Sequence, residues 1–345
     1  MADLGTGKFI RARFDVLEVL RTGVLLIMTL GMLVAQFIVS PTIVSSAPTL
    51  LDYVAKLVLS VVSFGLIVAP VTLVMIGGNL DLSVGSIVTL TTIISTNIST
   101  QPWYAQNPGA ATALALAAPL LVGLACGLFN GVLVGPMRLN AFITTLATMY
   151  FFQALAIAYN GGVYEKGQAG DATYAFLGRA SVLGVPVPVL LLGLIFLLFG
   201  FLLHRTVFGR RTYAVGGNPT AARFSGIRPE SVILIAFTLA GLMAGLSGLF
   251  LASWTMSAEM SVGKGKEFEV ITAIILGGVS LAGGKGTMLG AFFGVLFMGV
   301  LRMFYVQFSI SPIYQYIVQG VILIGVVFMN NLVESSRMRT RGVAA

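Results

Sequence analysis

Long apolar runs constrain this chain more than any other feature. The segments 22–40, 54–77, 81–100, 111–135, 140–160, 187–204, 232–254, 269–283, 288–306 and 313–331 each carry at most one charged residue. Proline and glycine punctuate the gaps, as at Pro41 and Pro48, Pro102 and Pro108, and Pro186 and Pro188. A helix needs about 20 apolar residues to cross the hydrocarbon core of a bilayer. The sequence therefore predicts an all-α polytopic membrane protein of about ten transmembrane helices. Composition agrees: 57% of the 345 residues are hydrophobic and 9% are charged, with mean hydropathy +0.98. A soluble domain carries roughly a quarter charged residues. Once the runs are set aside, no stretch remains for a large soluble domain.

The first run, 22–40, is longer than the apolar core of a cleavable signal, about 7–15 residues, and reads as a retained helix. The charge balance, 20 Lys+Arg against 12 Asp+Glu, suits a membrane protein whose cytoplasmic loops collect cations, and no nucleic-acid partner is needed to explain it. With the N-terminus inside and ten alternating spans, 14 basic residues fall inside and 5 outside, with Arg302 left near the outer end of a span. An odd count would move the Arg-rich tail outside, so both termini are expected in the cytoplasm. The layout is then a cytoplasmic segment 1–21, a transmembrane unit 22–331 and a cytoplasmic tail 332–345. The single Cys126 excludes an internal disulfide or a cysteine metal cluster; no metal site is expected.

Two connections are long. The outside loop, 161–186, holds Glu165, Lys166, Asp171 and Arg179; the inside loop, 204–231, holds five arginines. Within the latter, Gly217-Asn218-Pro219-Thr220-Ala221-Ala222-Arg223-Phe224-Ser225-Gly226 predicts a short helix lying along the cytoplasmic face between glycine breaks. A loop that served only to be positive would not need it, so a partner is expected to dock there.

Asp81, in Asn79-Leu80-Asp81-Leu82-Ser83-Val84-Gly85-Ser86, is a carboxylate between two apolar runs. Such a residue is a candidate for function, and it also suits a cap whose carboxylate accepts the N–H of Ser83 or Val84. The following run is rich in hydroxyls (Thr89, Thr91, Thr92, Ser95, Thr96, Ser99), which either face a watery route or join helices. Asn79, Asp81, Ser83 and Ser86 are the candidate lining of a substrate pathway. Gly123, Gly127, Gly131 and Gly135, four apart, form a packing stripe, and Gly241 with Gly245 and Gly290 with Gly294 read alike. Gly283-Gly284-Lys285-Gly286-Thr287 does not fit a phosphate loop, which needs Ser or Thr directly after the Lys. Any ATP is expected on another chain.

These stretches, with Phe129–Val134, Asn140–Met149 and Leu276–Gly286, run in order along most of the sequence. The chain resembles the permease subunits of ribose- and arabinose-type ABC importers, a branch of the branched-chain permease superfamily. The resemblance implies a type II importer fold in the bacterial inner membrane and a second permease subunit, identical or paralogous. It implies a cytoplasmic ATPase carrying ATP and Mg on the 204–231 coupling loop. It also implies an extracytoplasmic sugar-binding protein, for which the outer stretch Glu259, Lys264, Lys266, Glu267 is a candidate landing surface or else a solvated turn. The family commonly has glycine at the position of Asn79, so its substrates do not transfer directly. An ion-coupled secondary transporter is the competing reading. It would need several ionisable residues within the spans, and the sequence offers Asp81 and Arg302. A membrane enzyme would need a catalytic constellation that the sequence lacks.

Overall fold

A computed structural model describes residues 23, 25–39, 47–161, 165–166 and 172–342. The expected N-terminal segment 1–21 and Asp171 lie outside them. The described chain is mostly helical, with two short strand pairs. Seven helices are long and apolar enough to cross a membrane: within α2 (Ala47–Ile76), Tyr53–Ile76; α5 (Pro108–Val134); α6 (Ala141–Asn160); α8 (Val187–Arg205); α11 (Pro229–Thr255); α13 (Met288–Gln307); and, within α14 (Pro312–Gly342), Ile313–Asn330. These correspond to seven of the ten apolar runs. The runs 22–40 and 81–100 form shorter apolar helices, α1 (Leu25–Val39) and α3 (Val84–Thr100). The run 269–283 departs further from expectation. Its helix α12 is Lys266–Leu276, 11 residues, or about 16 Å at 1.5 Å per residue, half a bilayer. The Gly277-Gly278 turn, with Gly278 at φ +96°, ends it.

Small elements fill the connections: α4 (Pro102–Gln106), α7 (Ala172–Arg179), α9 (Val207–Gly217) and α10 (Pro219–Phe224). The strands β1 (Glu165–Lys166) and β4 (Ser257–Ala258) pair antiparallel, and β2 (Ser181–Val182) pairs with β3 (Val185–Pro186) as a hairpin. The first pair ties the loop after α6 to the segment after α11.

The centre of the bundle is α2, 83% buried over its apolar window, while α14 is 11% buried and lies at the edge. The glycine stripes account for the tightest packing. A Cβ at Gly127 would lie 2.5 Å from the Phe237 carbonyl oxygen and 2.8 Å from the Gly241 Cα. One at Gly123 would lie 2.8 Å from the Gly245 Cα. The stripes of α5 and α11 are thus each other's partners, and the two backbones touch as small residues permit. Gly290 and Gly294 of α13 meet Gly277 and Ala273 of the α12 region in the same way.

Some of the hydroxyls of α3 join it to neighbouring elements, while Thr91 and Ser99 donate to carbonyls of their own helix. All six are buried. Thr92 Oγ1 donates to the Gly248 carbonyl of α11 at 3.1 Å, and Ser95 Oγ donates to the Ala115 carbonyl of α5 at 2.8 Å.

Candidate functional site

The predicted short helix is α10. Asn218 caps it, its Oδ1 accepting the Ala221 N–H at 2.9 Å, and Pro219 occupies the first turn, where its missing N–H costs nothing. Gly226, at φ +78°, turns the chain away after it. Gly217, Asn218, Pro219, Ala221, Arg223, Phe224, Ser225 and Gly226 are exposed. Phe224 stands out at 89% exposure, which leaves a large apolar side chain without cover on an arginine-rich loop. Ala222 is different and corrects the expectation: it is 4% exposed and packs with Val215 and Val232. It holds α10 against the chain's own core, because a short amphipathic helix needs one inward face to stay in place.

Glu230, at the start of α11, ties α10 to the bundle. Its Oε1 accepts from Arg223 of α10 and from Arg138 of the α5–α6 turn, the latter at 2.9 Å. Beside this bridge lies a cavity of about 400 Å³ lined by Asn79, Arg138, Asn140, Pro219, Arg223 and Glu230 among others. Of the four expected pathway residues, Asn79 alone reaches this cavity. Asp81, Ser83 and Ser86 are buried behind it. Asp81 Oδ1 accepts both the Ser83 N–H (2.9 Å) and the Ser83 hydroxyl (2.7 Å), and Ser83 Oγ accepts from Asn130 Nδ2 of α5 at 2.7 Å. Asp81 therefore fixes the entry into α3 and, through Ser83, ties it to α5. Asn130 is a member of this network that the sequence did not single out.

Three glycine pairs converge at the same end. Gly78 meets Gly216 and Gly283, and Gly284 meets Gly217. The Gly284 N–H donates to the Ile76 carbonyl at 2.7 Å, and Tyr213 donates to the Gly286 carbonyl at 2.7 Å. The Gly283–Gly286 loop that failed as a phosphate loop is thus a backbone-to-backbone joint between α2, α9 and the start of α13.

The expected landing surface divides. Glu259 and Lys264 are exposed, whereas Lys266 and Glu267 are each 7% exposed. Lys266 Nζ donates to Ser63 Oγ at 3.0 Å, and Ser63 lies near the middle of the Tyr53–Ile76 span. Glu267 packs against Gly85 at the start of α3. Two residues on, Glu269 pairs with Arg302 of α13 at 3.0 Å, and Arg302 also donates to the Ser60 carbonyl at 2.7 Å. Lys266 and Glu267 are thus withdrawn from any external partner. A buried cation needs a counter-charge or strong acceptors; the net-neutral set Lys266, Glu267, Glu269 and Arg302 meets that need.

Residues 53–327 match the family described as branched-chain amino acid transport system / permease component. The chain belongs to this permease family. Among similar proteins is the ribose import permease protein RbsC of Bacillus subtilis, 35% identical over 266 residues, which cover 77% of this chain and 80% of that protein. RbsC of Escherichia coli is 37% identical over 262 residues, 75% of this chain and 79% of that one. The L-arabinose ABC transporter permease protein AraH of Azospirillum brasilense is 36% identical over 273 residues, 79% and 78% of the two chains. No solved structure matches. The permease is accordingly a multi-pass membrane protein, and the matched region includes α10, the glycine joint and the ionic cluster.

The sequence reading missed Asn130, Glu230 and Ser63. Asn130 lies within Phe129–Val134, where a lone amide in a glycine-rich apolar helix is its one signal in the sequence. Nothing near Ser63 in sequence marks it as a partner of Lys266, which lies 203 positions away.

Proposed function

We propose that this chain is the membrane-spanning subunit of an ATP-binding cassette importer that carries a small sugar, a pentose, hexose or related solute, across the bacterial inner membrane. The observation that carries the proposal is α10. It is a capped helix of one and a half turns, anchored by Ala222 and Glu230, with Phe224 presented to the surroundings. Such a knob is suited to a socket on a soluble partner. The similarity to ribose and arabinose permeases over most of their length supports the same reading.

On this proposal a cytoplasmic ATPase, holding ATP and Mg, receives Phe224 and the outward face of Pro219–Gly226. Its closing and opening moves α10, and the Arg223–Glu230–Arg138 bridge passes that movement to α5 and α11, which their glycine contact makes one unit. Two permease subunits in a type II arrangement, each with about ten membrane-embedded helices and both termini cytoplasmic, enclose the route. Asn79 faces that route near its inner end, with Asp81, Ser83 and Ser86 supporting it from behind. A sugar-binding protein lands outside, where Glu259 and Lys264 are available to it.

The test is purification of the tagged chain from its native membrane in mild detergent, with mass spectrometry of what co-elutes. A cytoplasmic protein with a Walker loop should appear in about equal amount and be lost when Phe224 is changed. The chain eluting without one would refute the proposal.

An ion-coupled transporter is the competing reading, because Lys266, Glu267, Glu269 and Arg302 give the permease more buried or half-buried ionisable groups than its sequence suggested. Glu269 and Arg302 are bound to each other, however, which suits structure better than a relay.

A further inference from the structure

The helix α8 buries one face and leaves the other bare. Leu192, Ile195, Phe196, Phe199 and Leu203 are buried, whereas Leu190, Leu194, Leu197, Leu198 and Phe201 are exposed. The exposed positions recur three and four residues apart, so they form a single stripe along the helix. Arg205, four residues beyond Phe201, continues the stripe and is exposed as well. With 19 residues, α8 is about 28 Å long, close to the roughly 30 Å hydrocarbon core of a bilayer. In a membrane-spanning chain this stripe has an apolar length and a cationic end.

Two more cations are brought to that end. Thr206 Oγ1 donates to the Leu202 carbonyl at 2.6 Å and accepts the Gly209 N–H at 3.3 Å. A Cβ on Gly209 would overlap the Leu203 carbonyl oxygen, so α9 folds back tightly on the last turn of α8. Arg210 and Arg211, next along the chain, therefore start beside the turn that carries Arg205. Both are exposed, and among the described residues none of the three arginines forms an ion pair. No Asp or Glu lies between Asp171 and Glu230 in the sequence. Helix stability accounts for Arg205, because a cation suits a helix C-terminus. It does not account for Arg210 and Arg211, which lie near the N-terminus of α9, where the dipole disfavours cations. Orientation by cytoplasmic charge needs a count of cations, not their gathering at the foot of an apolar stripe.

We propose that this corner binds an anionic phospholipid, its phosphate held by Arg205, Arg210 and Arg211 and an acyl chain lying along Phe201, Leu198, Leu197 and Leu194. Leu194 stands eleven positions before Arg205, about 16 Å along the helix. That is about half the hydrocarbon thickness, the depth of one leaflet. A zwitterionic lipid brings an ammonium that the arginines repel, whereas an anionic headgroup brings charge they can neutralise. The bound lipid braces α9, the helix from which α10 follows, so the lipid composition of that leaflet bears on how firmly α10 is held. The proposal rests on the membrane-spanning fold and on no choice of solute or energy source.

The test is native mass spectrometry of the full chain in detergent, titrated separately with phosphatidylglycerol and phosphatidylcholine, which resolves each bound lipid. The first phosphatidylglycerol should bind more tightly than the first phosphatidylcholine. Arg205→Gln, Arg210→Gln and Arg211→Gln should each reduce that preference about threefold to fivefold, the effect of one cation at an anionic surface, and the triple variant should abolish it. Replacing all three by Lys should keep most of it, because the charge remains. None of these changes should shift the melting temperature in lipid-free detergent, since the side chains are exposed. Arg228→Gln removes an exposed cation at the start of α11, off the stripe, and should leave the preference in place. Glycerophosphoglycerol, the headgroup without acyl chains, should not compete. Equal binding of the two lipids by the wild type overturns the site, as does a preference that survives in the triple glutamine variant. Equal loss in Arg228→Gln would show a response to total charge and not to this corner. Competition by glycerophosphoglycerol would make the corner a site for free phosphate esters and refute the lipid.

Discussion

Replacing Phe224 with Ala separates docking from folding. The side chain is 89% exposed, so its phenyl ring contributes almost nothing to the stability of this chain, and truncation should leave the melting temperature unchanged. If the ring enters a pocket on the ATPase, burying it stabilises the complex by roughly 1.5–3 kcal/mol. At about 1.4 kcal/mol per tenfold, the variant should bind about 10- to 150-fold more weakly. The larger end applies if Phe224 is a central anchor, as exposed aromatics at interfaces often are. The assay is titration of the purified ATPase onto the permease in nanodiscs, alongside solute uptake by cells carrying each form. Unchanged affinity together with full uptake would refute the assignment of α10 as the coupling helix. A lowered melting temperature would refute the premise that Phe224 is free of intramolecular work.

Three further outcomes follow from the packing. Ala222→Asp should unfold the α9–α10 corner rather than merely weaken docking, because the carboxylate would be buried beside Val215 and Val232; limited proteolysis at 209–227 should rise sharply. Gly127→Val should part α5 from α11, since its Cβ alone would lie 2.5 Å from the Phe237 carbonyl oxygen, at a cost of about 1–3 kcal/mol or more, seen as a lower melting temperature. Arg302→Met should destabilise by about 1–3 kcal/mol, less than the roughly 3–5 of a fully buried pair, because the Arg302 side chain is 36% exposed. Glu269→Leu added to Arg302→Met should restore part of that loss, giving a non-additive double-mutant cycle in thermal melts.

The spans were legible because apolar length is a property of contiguous residues, and α2, α5, α6, α8, α11 and α13 begin and end within three residues of their runs apart from the N-terminal extension of α2. α12 was not, because hydropathy runs on through Gly277-Gly278 while the backbone turns there. The glycine stripes announced close packing by their spacing of four, and their matching periods on α5 and α11 hinted at the pairing. Lys264-Gly265-Lys266-Glu267 looked like a solvated turn for a sound reason: charge beside glycine usually is one. The burial of Lys266 rests on Ser63, a residue no local window contains. The short helix α10 was legible in composition, from Asn218 through Gly226, but which face points inward was not. Ala222 and Ala221 are alike in sequence and opposite in burial.

The central claim is that this permease moves a sugar at the expense of ATP. The most direct measurement is uptake of labelled D-ribose and L-arabinose by cells that depend on this chain, with ATP depletion and dissipation of the proton gradient applied separately. The account predicts uptake that stops when ATP is depleted and persists, while ATP is maintained, under an uncoupler. Uptake that collapses under the uncoupler and ignores ATP depletion would contradict it and make the ionic cluster of Lys266, Glu267, Glu269 and Arg302 the first place to look for the coupling.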